Sequence, residues 1–225
     1  MRGKLIVVEG TDYSGKDTQT NLLMKKFNQL GMRVEKFSFP NYQSPTGKII
    51  GGPYLGKSYI GDSWFVEGAP KVEPKVAALY YAADRKYNIY KIMFLLENGV
   101  NVILDRYVYS NMAHQGGKIK DSNERHNLYN WLETLEFELL ELPHVDIKVF
   151  LHMPHEQAVL LSQNSNEFLD SHEQDESYLE SAEEAYLELA EKYNFKTIEC
   201  VKEGNIKTIE DIHEELMEYL IKECE

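Results

Sequence analysis

A glycine-rich segment near the N-terminus has the residue types and spacing of a phosphate-binding loop. Gly10 and Gly15 enclose four residues and Lys16 follows, which matches the pattern Gly-x-x-x-x-Gly-Lys. The glycines would let backbone N–H groups turn onto phosphate oxygens, and Lys16 would reach the β- and γ-phosphates of a nucleotide. The residues that we expect to hold these phosphates are Gly10, Thr11, Asp12, Tyr13, Ser14, Gly15, Lys16, Asp17 and Thr18.

The segments on either side of this loop are the ones that phosphate binding requires. Residues 5–8 form a short apolar run that is typical of a buried parallel strand, and a helical pattern begins at Asp17. The N-terminus of that helix would add its partial positive charge to the site. An ordinary strand–turn–helix with a surface lysine has the same pattern, but the order of strand, glycine loop and helix favours phosphate binding. We expect Lys16 to face solvent in the empty protein.

The residue after Lys16 departs from the usual pattern. A serine or threonine commonly stands there and its hydroxyl ligates Mg²⁺, whereas this chain has Asp17 followed by Thr18. A carboxylate would repel triphosphate oxygens unless a cation lay between them, and carboxylates are good Mg²⁺ ligands. We therefore predict that Asp17 ligates Mg²⁺ directly or through water, or that Thr18 supplies the hydroxyl while Asp17 holds a metal-bound water. The alternative is that Asp17 only caps the first helix.

A second set of chemically capable side chains follows the apolar run at 100–104. Asp105 and Arg106 come directly after this predicted strand, so they would lie beside the phosphate loop at one edge of a parallel sheet. Arginine offers a planar fork to phosphate oxygens. The carboxylate of Asp105 would hold a Mg²⁺-bound water or orient an acceptor phosphate. The alternative is a structural ion pair with no part in chemistry.

Strands and helices are predicted to alternate along the chain. This alternation would bring the phosphate loop and the Asp105-Arg106 pair to the same edge of one sheet. Right-handed crossovers then give a three-layer α/β fold, with a five-stranded parallel sheet and helices on both faces. The segment 41–74 is rich in glycine and proline, with a short helix expected near 46–50. We predict strands at 6–9, 34–39, 100–104, 147–151 and 196–200, and helices at 17–30, 74–98, 122–140, 155–162, 175–193 and 208–224.

Length, charge and cysteine content narrow the class of protein. The 225 residues suit one domain spanning 1–225, and the formal net charge of −13 argues against a general nucleic-acid or membrane-surface binder. The two cysteines, Cys200 and Cys224, form no disulfide framework or zinc-binding spacing. The N-terminal apolar run is too short for a signal peptide, and no stretch is long enough to span a membrane. We expect a cytoplasmic protein.

Four short motifs occur in a fixed order over nearly the whole chain. They are Glu9-Gly10-x-Asp12-x-x-Gly15-Lys16, Phe39-Pro40, Tyr81-Ala82-Ala83-Asp84-Arg85 and Asp105-Arg106-Tyr107-x-x-Ser110-x-x-Ala113-x-Gln115-Gly116. Together they resemble the thymidylate kinase family, a group of P-loop nucleoside-monophosphate kinases. The resemblance implies transfer of the γ-phosphoryl group of ATP to dTMP with Mg²⁺, a lid segment at about 155–180, and a homodimer. It also implies a catalytic set of Lys16, Arg106, Asp105 and Asp12, while the chemistry of the side chains themselves predicts Asp17, Thr18 and Asp105 at the metal.

The same resemblance implies roles for residues that would hold dTMP. Asp12 would contact the deoxyribose 3′-hydroxyl, and Arg85 and Arg106 would bind the phosphate. An aromatic face with amide and hydroxyl groups suits a pyrimidine. Phe39 would line the base pocket, Tyr81 would stack on thymine, and Ser110 and Gln115 would approach the base. Tyr81 also lies on an apolar helix, so an ordinary core position is its alternative.

Several residues depart from the family pattern. Tyr13 stands where one branch of the family has an arginine, and His114 stands where an aromatic residue is common. No lysine or arginine occurs between Lys148 and Lys192, although relatives place lid arginines there. Such an arginine can be worth several orders of magnitude in rate. The alternatives are therefore a kinase for another nucleoside monophosphate or a nucleotide-binding homologue with weak catalysis. We also expect a mobile loop at 163–172.

Overall fold

The computed structural model describes residues 2–163 and 176–224, and its centre is a sheet of five parallel strands. Their order across the sheet is β2-β3-β1-β4-β5, and each neighbouring pair is parallel. This confirms the predicted five-stranded parallel sheet. The strands are β1 (Leu5–Gly10), β2 (Val34–Ser38), β3 (Asn101–Asp105), β4 (Ile147–His152) and β5 (Lys196–Glu199).

Eight α-helices are present in the described part of the chain, and they lie on both faces of the sheet. They are α1 (Lys16–Gln29), α2 (Pro45–Ile49), α3 (Pro74–Glu97), α4 (Val108–Gly116), α5 (Ser122–Glu133), α6 (His155–Gln163), α7 (Glu176–Lys192) and α8 (Ile209–Cys224). Two π-helical segments (Ile50–Tyr54 and Thr134–Leu139), a 3₁₀ turn (Ala69–Lys71) and the antiparallel pair β6 (Val201–Lys202) and β7 (Asn205–Ile206) complete the described structure.

The central strand shows how the sequence builds the layers. Leu5 and Val7 pack into a core formed with α3, α4, α5 and α7, whereas Ile6 and Val8 pack into a second core with α1 and α8. All four side chains are fully buried. Alternate residues of a strand point to opposite faces, so a continuous apolar run is what a doubly covered strand needs. Burial of each such side chain stabilises the folded state by about 1.5–3 kcal/mol.

Most of the predicted elements are present, with two differences that concern the site. Residues 108–116 form α4, a helix that the sequence analysis did not predict. The predicted helix at 122–140 is α-helical only to Glu133 and continues as a π-helix over Thr134–Leu139. The π-helical segment carries Glu136, a fully buried acid. Short π-helical segments are frequent at functional sites.

The predicted lid can be followed only in part. The mobile loop predicted at 163–172 lies outside the described residues apart from Gln163, and the lid at about 155–180 stays a prediction. The described part of the lid region contains α6 and the first turn of α7. Among the described residues, none of the helices is both long and apolar enough to cross a bilayer.

Candidate active site

The two motif glycines are fixed by the geometry of the phosphate loop, which joins the end of β1 to the start of α1. A Cβ atom on Gly10 would lie 2.6 Å from the Ser14 Oγ and 2.7 Å from the Leu151 carbonyl oxygen. Gly15 precedes the helix with a φ of 76°, a left-handed conformation that side chains disfavour. The loop therefore needs glycine at both positions, as the phosphate-binding pattern requires.

Lys16 lies inside the loop and is only 8% exposed, so the expectation that it faces solvent is wrong. Its Nζ donates to the Thr11 carbonyl oxygen at 2.7 Å, where it occupies the concave side of the loop. Burial, reinforced by the nearby positive charge of Arg106, lowers the pKa of Lys16 to about 8. The ammonium is held in the position from which it would meet phosphate oxygens.

Glu9 connects the phosphate loop to the segment after β3. Its buried carboxylate accepts hydrogen bonds from the backbone N–H groups of Tyr107 at 2.8 Å and Ser110 at 3.1 Å, and from the Ser110 hydroxyl. These backbone groups belong to the first turn of α4, where helical N–H groups lack partners within the helix. Burial raises the pKa of Glu9 in spite of these hydrogen bonds. Glu9 therefore fixes α4 beside β1, a role that the sequence analysis did not assign.

Arg106 lies between the phosphate loop and α7. Its Nη2 donates to Asp12 Oδ1 at 2.7 Å, and its Nη1 donates to the Tyr186 hydroxyl at 2.8 Å and contacts His114 Nε2 at 3.0 Å. Burial alone would raise the pKa of Asp12, but the Arg106 guanidinium holds it at about 2. The structure therefore brings together Lys16, Arg106 and Asp12 of the predicted catalytic set, with Asp105 at the end of β3.

Asp17 is largely exposed. Its Oδ1 accepts from Lys36 Nζ at 2.6 Å, and the same Nζ lies 3.8 Å from Asp105 Oδ2. Gly15 is the N-cap residue of α1, and Asp17 lies in the first turn, where its charge suits the helix dipole. Thr18 is exposed on the same helix. Two carboxylates within reach of one cationic group form an oxygen donor set that fits Mg²⁺.

A cleft of about 100 Å³ opens beside the phosphate loop. Tyr81 is half-buried on its wall, and its ring packs 5.9 Å from the buried Tyr54 ring at 89°, so stacking on a base and an ordinary core position both stay open. Phe39 lines the cleft next to Tyr107, with 6.2 Å between ring centroids. All seven residues predicted to hold the acceptor line this cleft, namely Asp12, Phe39, Tyr81, Arg85, Arg106, Ser110 and Gln115.

Arg85 is almost fully buried and paired with Glu136 by two parallel hydrogen bonds from its Nε and Nη2. Its remaining nitrogen, Nη1, lies 3.5 Å from the Tyr107 carbonyl oxygen. Glu136 also accepts from Asn111 Nδ2 at 3.0 Å. The positive charge of Arg85 is thus balanced within the protein, a feature that the expectation of phosphate binding did not include.

Two amide side chains that line the cleft have carbonyl oxygens that accept no hydrogen bond from the described residues. The Asn111 Oδ1 and Gln115 Oε1 atoms are buried and have no hydrogen-bond partner among the described residues. A buried acceptor without a partner costs about 1–3 kcal/mol. A ligand that brings N–H donors into the cleft would remove this cost.

Comparisons with known proteins agree with this geometry. A family model described as thymidylate kinase matches residues 8–215. The chain belongs to the thymidylate kinase family. It is 28% identical to a thymidylate kinase of Schizosaccharomyces pombe, with 96% of this chain and 91% of that protein covered. It is 30% identical to a probable thymidylate kinase of Methanocaldococcus jannaschii, with 96% and 94% covered. A solved thymidylate kinase from Candida albicans superposes with a TM-score of 0.75 at 25% identity, over 100% of this chain and 94% of that one.

Membership of the thymidylate kinase family confirms the resemblance drawn from the four motifs. Enzymes of this family are phosphotransferases that bind nucleotides and phosphorylate dTMP with ATP, so the predicted enzyme class and function are confirmed. The similar structure from Candida albicans confirms the P-loop kinase fold. ATP and dTMP are the substrates that this family implies.

Some residues of the site were not found from the sequence. Asn111 lies inside the fourth motif but was given no role, although it lines the cleft. Tyr178 and Tyr186 come from α7, which the sequence predicts only as an acidic helix. Tyr178 contacts His114 Nδ1 at 2.9 Å, so α7 brings tyrosine hydroxyls to the site. No local pattern could have placed these tyrosines, because their partners are about 65–80 residues away in sequence.

Proposed function

We propose that this chain phosphorylates dTMP with the ATP phosphates on the loop 10–18 and dTMP in the cleft beside it. The observation that supports this most is that seven acceptor-binding residues, chosen from sequence, line one cleft. Asp12 belongs to both the loop and the cleft, so the two substrates would meet there. Catalysis would then consist of positioning and of neutralising charge.

The proposed roles follow from where the charges lie. Lys16 would bind the transferred phosphoryl group, and Arg106 would bind the acceptor phosphate at the junction of loop and cleft. Asp12 orients Arg106 through its 2.7 Å hydrogen bond, and its low pKa keeps it ionised. Asp17 and Asp105, with Thr18 nearby, would hold Mg²⁺, which neutralises phosphate charge when it is bound with ATP.

The cleft favours one class of base. Tyr81 and Phe39 provide aromatic surface, and Asn111 and Gln115 provide buried acceptors. Thymine and uracil carry a ring N–H at position 3 that can donate to such an acceptor, whereas cytosine carries an acceptor there. A buried acceptor facing another acceptor leaves both unpaired, which costs about 1–3 kcal/mol for each group. We therefore assign thymine over cytosine to this cleft.

A coupled assay of ADP release tests the proposal. dTMP, dUMP, dCMP and thymidine are offered as acceptors with Mg-ATP, and kcat/KM is compared. We expect dTMP to be the best acceptor, and dCMP and thymidine to be poor. A higher kcat/KM for dCMP would contradict the assignment of the base. Tight binding of dTMP and ATP without turnover would favour the alternative of a nucleotide-binding homologue.

We also propose a homodimer that pairs through α3. Five apolar side chains on one stripe of this helix are between 42% and 72% exposed, namely Val76, Leu79, Tyr87, Tyr90 and Phe94. Their spacing of three, four or eight residues keeps them on one face. A stripe of this kind is typical of a helix that packs against a partner. A second copy of this chain is the proposed partner.

The cellular compartment is a separate proposal. The thiols of Cys200 and Cys224 are free, which suits a reducing compartment such as the cytoplasm.

A further inference from the structure

Lys36 lies between two carboxylates of the candidate active site. Its Nζ is 2.6 Å from Asp17 Oδ1 and 3.8 Å from Asp105 Oδ2, and it donates to Asn21 Oδ1 at 3.0 Å. The Lys36 side chain is 14% exposed, so its ammonium is mostly enclosed by these oxygens. Sequence analysis assigned no role to this lysine.

The fold fixes this contact, because β2, β3 and α1 meet at Lys36. β2 pairs with β3 in a register that sets Lys36 opposite Ile103 and Ser38 opposite Asp105. Val34, two residues before Lys36, packs against α1, and alternate residues of a strand share a face. Lys36 therefore faces the first turn of α1, which carries Asp17, while Asp105 ends the neighbouring strand.

Charge explains why a lysine stands at this point. Asp17 and Asp105 are carboxylates beside a loop that must receive a triphosphate, and their negative charge would repel it. One ammonium near both oxygens offsets this charge without any metal. A divalent cation needs the same oxygens, because Mg²⁺ is bound in proteins by one or two carboxylates. Ammonium and metal cannot both occupy the space between them.

We propose that Lys36 is the resident counter-cation of Asp17 and Asp105, and that a divalent cation must displace its ammonium to bind there. The proposal deepens the proposed function, on which it rests for placing the metal at these carboxylates. The nucleotide-free protein then binds metal weakly. Metal enters together with the phosphates of ATP, which supply further oxygen ligands that Lys36 cannot replace.

Direct metal binding to the nucleotide-free, full-length protein tests this. Mn²⁺ is titrated into the protein, and free Mn²⁺ is measured by electron paramagnetic resonance. Lys36→Met, which keeps the alkyl chain, is expected to bind Mn²⁺ about tenfold more tightly than the native protein. Lys36→Arg is expected to bind like the native protein. Lys25→Met is the matched control, because it removes the same charge from the exposed surface of α1.

The double variant Lys36→Met/Asp17→Asn decides whether Asp17 is a ligand. We expect its Mn²⁺ affinity to fall back from that of Lys36→Met toward that of the native protein. Equal Mn²⁺ affinity of the native protein and Lys36→Met would overturn the proposal, as would an equal gain in Lys25→Met or in the double variant. Circular dichroism checks folding, and Lys36→Gln replaces Lys36→Met if that variant does not fold. Because no nucleotide is present, the result is independent of the dTMP assay, which tests the proposed function separately.

Discussion

The Arg106 guanidinium donates a 2.8 Å hydrogen bond to the hydroxyl of Tyr186, which joins the end of β3 to helix α7. The same hydroxyl lies 2.8 Å from Ser110 Oγ, and the Tyr186 ring stacks on Phe150 at 5.4 Å. The ring is almost fully buried, so the hydroxyl has one fixed position. Tyr186 therefore orients the arginine that borders both the loop and the cleft.

Tyr186→Phe tests this orientation. Removal of the hydroxyl leaves the ring packing intact, so we expect the melting temperature to change little. Arg106 loses one of its fixed partners, and we expect kcat/KM for dTMP to fall roughly ten- to 150-fold, since loss of one hydrogen bond to a charged group is worth about 1.5–3 kcal/mol. Tyr193→Phe is the control, because its hydroxyl bonds Glu133 away from the cleft. Equal losses in both variants would contradict a specific role.

Binding of ATP should take up a proton at alkaline pH. The pKa of Lys16 is about 8 in the empty loop, so Lys16 is mostly neutral above that pH. Bound phosphates favour the charged ammonium and raise this pKa, so a proton is taken up on binding. Titration calorimetry in buffers of different ionisation enthalpy, near pH 8.5 and near pH 6.5, should show uptake at the higher pH and almost none from this group at the lower.

Lys16→Met is the control for this prediction. It keeps the buried alkyl chain but cannot be protonated, so the uptake at the higher pH should disappear. The variant should also lose phosphoryl transfer by roughly a hundredfold or more, as is typical for a lost electrostatic contact to the transition state. Unchanged proton uptake in Lys16→Met would show that another group titrates.

Glu136→Gln should destabilise the protein. Glu136 is fully buried and balances Arg85, so its neutralisation leaves a buried charge without its counter-ion. Breaking a buried pair costs about 3–5 kcal/mol. Urea unfolding measures this change. Glu218→Gln is the control at an exposed pair with Lys222, where we expect a much smaller cost. Equal costs would show that burial of Glu136 is unimportant.

The proposed dimer is tested by placing charge on the exposed stripe of α3. Tyr90 and Phe94 are 72% and 64% exposed, so Tyr90→Asp and Phe94→Asp should leave the fold of one chain intact. Sedimentation equilibrium at micromolar concentration should give a dimer for the native protein and a monomer for each variant. Leu139→Asp, at a residue that is 71% exposed outside this helix, is the control. A monomeric native protein would refute the dimer.

Sequence predicts those parts of the molecule that depend on local chemistry. Neighbouring residues reveal the backbone requirements that explain three such features. These are the apolar run of β1, the two glycines of the phosphate loop, and Gly31 after α1, which has a φ of 75°. The resemblance of the motifs to a known family implied that Tyr81 and Gln115 share one site, and both line the cleft.

Contacts between distant segments could not be predicted in this way. Lys16 was expected in solvent, because a loop lysine gives no sign that a carbonyl five residues earlier will hold it. Glu136 is one of many acids in this chain, and only the packing of Thr134–Leu139 against α3 makes it a partner of Arg85. Lys36 likewise shows its partners only when β2 lies beside β3.

Arg106 makes the two substrate sites dependent on each other. It lowers the pKa of Lys16 in the loop and at the same time lines the cleft. An anion bound beside Arg106 weakens the repulsion between the two cations, and an anion on Lys16 does the same from the other side. Thermodynamic linkage requires that each ligand change the affinity for the other by the same factor. We therefore expect bound dTMP to raise the affinity for ATP, and bound ATP to raise the affinity for dTMP.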